Sequence, residues 1–156
     1  MTSTEWVVHS VPFTVRRRVR FGDCDPAGVV YTVRFSDYVV SVADLFMSDL
    51  LGGPFLEALG EVDTPNKALA FVFHAPLRPE DEFDMLVTVP EIRTRTFDLH
   101  VAASLLDGTP AFDATVTPIC MLPADRRSVP IPMKLRALLE HYQAQTGAAN
   151  GTTLSA

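Results

Sequence analysis

The sequence is poor in the features that mark several large classes of protein. Two cysteines, Cys24 and Cys120, cannot make a disulfide scaffold and suit a reducing cytoplasm. Eight glycines and twelve prolines are too few for a collagen-like or low-complexity chain. Basic residues are outnumbered: 13 Lys and Arg against 19 Asp and Glu leave a formal charge of −6. That is the wrong sign for a domain that grips nucleic acid nonspecifically, though a local basic patch could still hold a small anion. No stretch approaches the roughly 18 uncharged apolar residues of a membrane span. Residues 1–12 lack the charged start and apolar run of a secretory signal. These absences leave a cytoplasmic globular protein with no nucleic-acid and no membrane partner as the expectation.

What is present fits that frame. The 156 residues are 47% hydrophobic and 21% charged, enough for one packed core. Residues 1–10 read as a loose end. Phe13 to Phe21 alternates: Phe13, Val15, Val19 and Phe21 face one way, with Arg17 interrupting them, and Thr14, Arg16, Arg18 and Arg20 face the other. Period two predicts a strand with one buried side. A structured loop follows over 22–28, with two acids, a proline and two glycines.

Val29 to Leu51, closed by Gly52, Gly53 and Pro54, predicts a helix of about 22 residues, roughly 33 Å long. Phe35, Val39, Val42, Phe46 and Leu50 fall at spacings of three and four, and so do Tyr38, Val42 and Leu45. Its many β-branched residues mean that burial, not propensity, must stabilise it. Residues 55–59 suggest one further helical turn. Four alternating runs come next, around Leu69–His74, Phe83–Val89, Thr96–Leu105 and Phe112–Thr117, joined by short polar links that favour antiparallel neighbours. Ile131, Leu135, Leu138, Leu139 and Tyr142 share a helical face that should pack on the sheet. The predicted class is therefore α+β: one long central helix wrapped by a curved antiparallel sheet of about five strands, with a short C-terminal helix. A single domain over 1–146 and a flexible tail over 147–156 complete the expectation.

The sharpest chemical signal is the loop before the helix. Asp25 stands just ahead of Pro26, with the helix start a few residues on. A helix N-terminus offers unsatisfied N–H groups and a positive dipole end, a ready site for an oxyanion or a polarised carbonyl. A carboxylate at the same point can attack a carbonyl or deprotonate water. Gly28 would let a substrate approach the backbone closely. The structural alternative for Asp25 is an Asx-turn or helix cap.

Residues 21–30, Phe-Gly-Asp-Cys-Asp-Pro-Ala-Gly-Val-Val, closely resemble the signature of the 4-hydroxybenzoyl-CoA thioesterases of the hotdog-fold superfamily. The resemblance implies a hotdog fold and hydrolysis of an acyl-CoA. It implies the catalytic role for Asp25, as nucleophile through a mixed anhydride or as general base on water. It implies the carbonyl-polarising N–H near Thr32, with Gly28 beside it. Coenzyme A then enters as part of the substrate and no other cofactor is implied. The segment Glu91–Phe97 looks like the family's basic edge that meets the phosphates of coenzyme A, through Arg93, Thr94 and Arg95. The resemblance also implies a homodimer or homotetramer with sites between subunits. Where the family reads aromatic-Tyr-Pro-Asn-Tyr, this chain has Tyr31, Thr32, Val33, Arg34 and Phe35. A backbone N–H survives that change, but the pocket wall, Tyr31 included, differs.

Other candidates carry less. Asp23 reads as a brace for the loop. Cys24 has no paired histidine base, and inert packing suits it better. His74 follows the Phe71 to Phe73 run and could line the site, whereas His100 reads as a surface histidine. No metal-ligand spacing is present, so no metal is expected. Arg16, Arg18 and Arg20 form a basic stripe that reads as a solvated strand face or a subunit contact, and Arg126 and Arg127 are weaker phosphate candidates than Arg93 and Arg95. Aliphatic acyl-CoA or acyl-carrier-protein substrates, and a noncatalytic acyl-CoA-binding protein, are the alternatives. A hydratase would want a His–acid pair, and none is adjacent in the sequence.

Overall fold

A computed structural model describes residues 3–147. Its elements in chain order are β1 (Glu5–Ser10), β2 (Phe13–Arg18), α1 (Arg34–Leu51), α2 (Phe55–Ala58), β3 (Asn66–Phe73), β4 (Glu82–Ile92), β5 (Phe97–Leu105), β6 (Pro110–Pro118), a small hairpin of β7 (Met121–Leu122) and β8 (Arg127–Ser128), and α3 (Met133–Thr146). Six strands form one sheet in the order β1-β2-β4-β5-β6-β3, and every pairing in it is antiparallel.

The alternation seen in the sequence is the inside–outside pattern of this sheet. Phe83, Met85, Val87 and Val89 of β4, Phe97, Leu99 and Val101 of β5, and Phe112 and Val116 of β6 are fully buried. Helix α1 lies against that face. Its Phe46 meets Phe13 at 5.6 Å between ring centroids, Tyr38 meets Phe83 at 5.3 Å, and Phe35 meets Phe112 at 5.2 Å. Valines in a helix each cost roughly half a kcal/mol in propensity. Burying one returns about 1.5–3 kcal/mol, so packing wins at Val39 and Val42, both fully buried. Gly52, left-handed at φ +73°, ends the helix, and Gly53 N–H reaches back to Ser48 O at 3.0 Å. Helix α3 closes the same side: the Tyr142 hydroxyl donates to Val87 O at 2.6 Å and accepts Phe13 N–H at 2.8 Å. No helix among the described residues is long and apolar enough to cross a membrane.

This is the expected hotdog architecture, with four differences. The sheet has six strands, because residues 5–10 are not loose. They pair with β2 as β1, and Glu5 anchors that strand to α1 by accepting the Ser41 hydroxyl at 2.7 Å. Helix α1 starts at Arg34, not Val29. The residues before it bond elsewhere: Val30 N–H donates to Leu77 O at 2.8 Å and Tyr31 N–H to Asp23 O at 2.9 Å, and Thr32 and Val33 then turn into the helix. Strand β3 does not neighbour β4 despite the short link between them. It sits at the far edge beside β6, and residues 74–81 cross back past the loop before α1, where Leu77 is fully buried. The β7–β8 hairpin was not anticipated. The expected tail lies, beyond Gly147, outside the described residues.

Candidate active site

The loop before α1 is braced from beneath. Asp23 is buried, and its Oδ2 accepts the Tyr38 hydroxyl at 2.8 Å and the Arg20 N–H at 3.1 Å. Tyr38, itself fully buried, carries the Arg17 guanidinium 4.6 Å above its ring. Arg17 in turn pairs with Glu5 at 3.3 Å, which explains the charge that interrupts the apolar face of β2. Burial first, and the bond to Asp23 second, push the Tyr38 phenol well above its ordinary range, so it stays a donor. The expected bracing role of Asp23 thus has a specific partner.

Asp25 sits on this brace, half-buried. Its Oδ1 accepts Ala27 N–H at 2.9 Å, the Asx-turn anticipated as the structural alternative. Its backbone N–H donates to Val29 O and its carbonyl accepts Gly28 N–H, both at 2.9 Å. Oδ2 has no hydrogen-bond partner among the described residues. Gly28 is left-handed at φ +79°, and nothing stands within 4 Å of the position a Cβ would take. Both its conformation and the open space above it favour glycine. The amides nearest the helix start are sorted by partner. Arg34 N–H bonds Tyr31 O at 2.8 Å and Phe35 N–H bonds Thr32 O at 3.3 Å. Those of Thr32 and Val33 have no partner among the described residues.

A cleft of about 370 Å³ opens at this point, lined by Val29, Val30, Thr32 and Phe35 on one side and by Phe73, His74, Ala75 and Pro76 on the other. Thr32 and His74, expected in the site, are brought together here. Asp25 and Gly28 belong to the same loop but do not line this cleft. Tyr31, 53% exposed, lies outside it as well. Arg34 turns to Asp37 at 3.2 Å on the surface.

Arg93, Thr94 and Arg95 lie in the turn between β4 and β5, away from the cleft. Arg93 grips Asp98 with two nitrogens, at 3.1 and 2.8 Å. Arg95 donates to Ser128 O at 2.7 Å, and Thr94 O accepts Ile131 N–H. The two arginines do not form a pair aimed at one ligand, since their partners, Asp98 and Ser128, lie on different elements. Arg16 and Arg18 of the basic stripe pair with Asp84 and Glu82, at 2.8 and 2.9 Å. Arg127 lies 3.8 Å from Asp125. Neither cysteine is activated. Burial, then the nearby Asp23 and Asp25, raises the Cys24 thiol, and burial pushes Cys120 up to about 11.

Two features escaped the sequence. A His–acid pair does exist: His74 Nε2 lies 2.7 Å from Asp113 Oδ2, and His100 Nε2 lies 3.0 Å from Asp113 Oδ1. The residues are far apart in the chain, and only the pairing of β3, β5 and β6 joins them. Alternation put all three on the polar face, which was the one signal available. Tyr38 read as core packing, and nothing in its spacing revealed the hydroxyl's partner.

The profile of the thioesterase-like superfamily matches residues 19–139. The chain belongs to that superfamily. No curated protein matches. Among solved structures, a thioesterase-superfamily protein from Jannaschia sp. CCS1 is 28% identical over 83% of this chain and 92% of its own, with a TM-score of 0.76. A 1,4-dihydroxy-2-naphthoyl-CoA thioesterase from Synechocystis is 21% identical over 81% and 94%, with a TM-score of 0.72. A Staphylococcus aureus protein solved in complex with CoA is 17% identical over 94% and 89%, with a TM-score of 0.78.

Proposed function

We propose that the protein hydrolyses an acyl-CoA thioester to the free acid and CoA, with an aromatic acyl group of the 4-hydroxybenzoyl kind as its substrate. The observation that carries this reading is the short loop itself. It holds a braced carboxylate with one open oxygen at Asp25, seven residues ahead of the open amide at Thr32. The open Thr32 and Val33 amides take the developing oxyanion. Asp25 either attacks the thioester carbonyl or removes a proton from water. Phe35 and Phe73, edge to face at 4.9 Å in the cleft wall, favour a flat aromatic acyl group. Membership of the thioesterase-like superfamily supports the reaction type, and the CoA bound by the Staphylococcus neighbour supports the thiol carrier.

Catalysis of this kind is proposed to occur in a homodimer or larger homo-oligomer. Strand β3 supports this. It is an edge strand, and Leu69, Val72 and Phe73 on it are 39%, 59% and 48% exposed.

One observation favours a second reading. Arg93 and Arg95 already have partners within the chain, so a carrier-protein thioester, which has no nucleotide phosphates to clamp, is the competing substrate. Thiol release over aryl-CoA, aliphatic acyl-CoA and acyl-pantetheine panels tests both. The proposed function predicts CoA release fastest from aryl-CoA, and slower release when Arg93→Ala or Arg95→Ala is introduced. Equal rates on CoA and pantetheine thioesters, indifferent to both substitutions, favour the carrier-protein reading. No free thiol from any panel overturns hydrolysis and leaves a binding protein.

A further inference from the structure

The register of the sheet builds a second chemical group beside the cleft. Strand β6 places Asp113 opposite Val72 of β3 and opposite Ala102 of β5. His74 follows the end of β3 by one residue and His100 lies two residues before Ala102. All three side chains therefore share one sheet face, and the Asp113 carboxylate holds His74 at 2.7 Å and His100 at 3.0 Å, one on each oxygen. An ionised carboxylate can only accept, so the His74 ring presents its Nε2–H to it. The lone pair of His74 then resides on Nδ1, which has no hydrogen-bond partner among the described residues. The two imidazoles are not equivalent. His100 is more enclosed and faces a shallow hollow on the sheet with Thr115 and Val72. His74 lines the cleft with Thr32 and Phe35, and among the described residues it is the only titratable side chain that does.

We infer that His74, oriented by Asp113, is the general base that activates water in the second half of the reaction. This rests on the proposed thioesterase function in its nucleophilic form. In the first half, an Asp25 oxygen bonds to the acyl carbon, the C–S bond breaks, and the CoA thiolate leaves. Asp25 is then tied up in a mixed anhydride and cannot serve as the base. Water must lose a proton to another group. His74 Nδ1 takes that proton as the water oxygen bonds to the acyl carbon, and the bond to Asp25 breaks, restoring the carboxylate and releasing the acid. The departing CoA thiolate takes a proton from solvent, and the imidazolium later returns its proton to solvent, so atoms and charge balance. Asp113 is a positioning residue: it holds the tautomer that leaves Nδ1 basic and stabilises the imidazolium. The charged groups that face His74 are Asp113 from β6 and, beyond it, His100 from β5, while the loop and α1 present the uncharged Val29, Val30, Thr32 and Phe35.

Rapid-mixing measurement of thiol release from 4-hydroxybenzoyl-CoA tests this, with thermal melting of each variant as the check on folding. In folded His74→Gln and Asp113→Asn proteins, the expected result is a burst of about one CoA per site followed by a steady state about 10²-fold slower than wild type. His74→Gln should also lose the acid limb of the steady-state pH profile, and added imidazole should restore turnover to His74→Ala. A steady state within a few-fold of wild type in His74→Gln overturns the inference. So does loss of the burst together with the steady state, since His74 would then act before the acyl-enzyme. Asp25→Asn separates the two layers: if it keeps normal turnover, the nucleophilic reading of Asp25 fails, whatever the His74 variants show.

Discussion

Asp25 keeps one carboxylate oxygen open because the rest of its environment is already satisfied. Its other oxygen holds Ala27 N–H, and the loop is fastened from below through Asp23 and Tyr38. The fastening is testable without touching the reacting groups. Tyr38→Phe removes the hydroxyl and leaves the Asp23 carboxylate short of a donor, at a cost of about 1–3 kcal/mol. A lowered melting temperature and a fall in kcat with little change in KM are expected. A Tyr38→Phe protein that melts and turns over like wild type would refute the brace. How far single residues could be read from sequence depended on whether their partners were local. The Asx-turn at Asp25 is closed within one contiguous stretch, so its geometry was legible. Asp113 and Tyr38 act through partners 39 and 15 residues away, and no local pattern encodes such pairs.

The turn joining β4 and β5 carries its own latch. Burial alone would raise the Asp98 carboxyl, but the hydrogen bonds from Arg93 and Thr117 and the Arg93 charge outweigh it, and its pKa lies below the ordinary carboxylate value. A depressed folded pKa stabilises the native state in full above the unfolded value of about 4 and loses that contribution as pH falls through the folded value. Asp98→Asn should therefore narrow the difference in urea midpoint between neutral pH and pH 3, compared with wild type. An unchanged difference would contradict the latch. The strands β4, β5 and β6 were readable because each has one buried and one polar face. The start of α1 was not. Val29, Val30 and Val33 continue the apolar run, and only bonds from Val30 to Leu77 and from Tyr31 to Asp23 keep the chain out of the helix before a turn at Thr32 and Val33. Strand β1 was missed for a related reason: its anchors, Arg17 and Ser41, lie outside its own sequence.

The whole molecule presents an edge where the chain crosses from β3 to β4. That crossing was hidden from a reading by link length, because residues 74–81 are short enough to join neighbours yet run past the loop before α1. Its consequence is that β3 ends beside the cleft and leaves its outer edge free. Wild type should sediment as a dimer or larger assembly. Replacing both Leu69 and Val72 with Glu should shift it to monomer and depress turnover, while a monomeric wild type at working concentration would remove this part of the account. The central claim concerns one carboxylate, and the most direct measurement is thiol release from aryl-CoA by wild type and Asp25→Asn at matched folding. The account predicts CoA release by wild type and a loss of about 10³-fold or more in the Asn protein, with melting nearly unchanged. Near-normal CoA release by Asp25→Asn would contradict it.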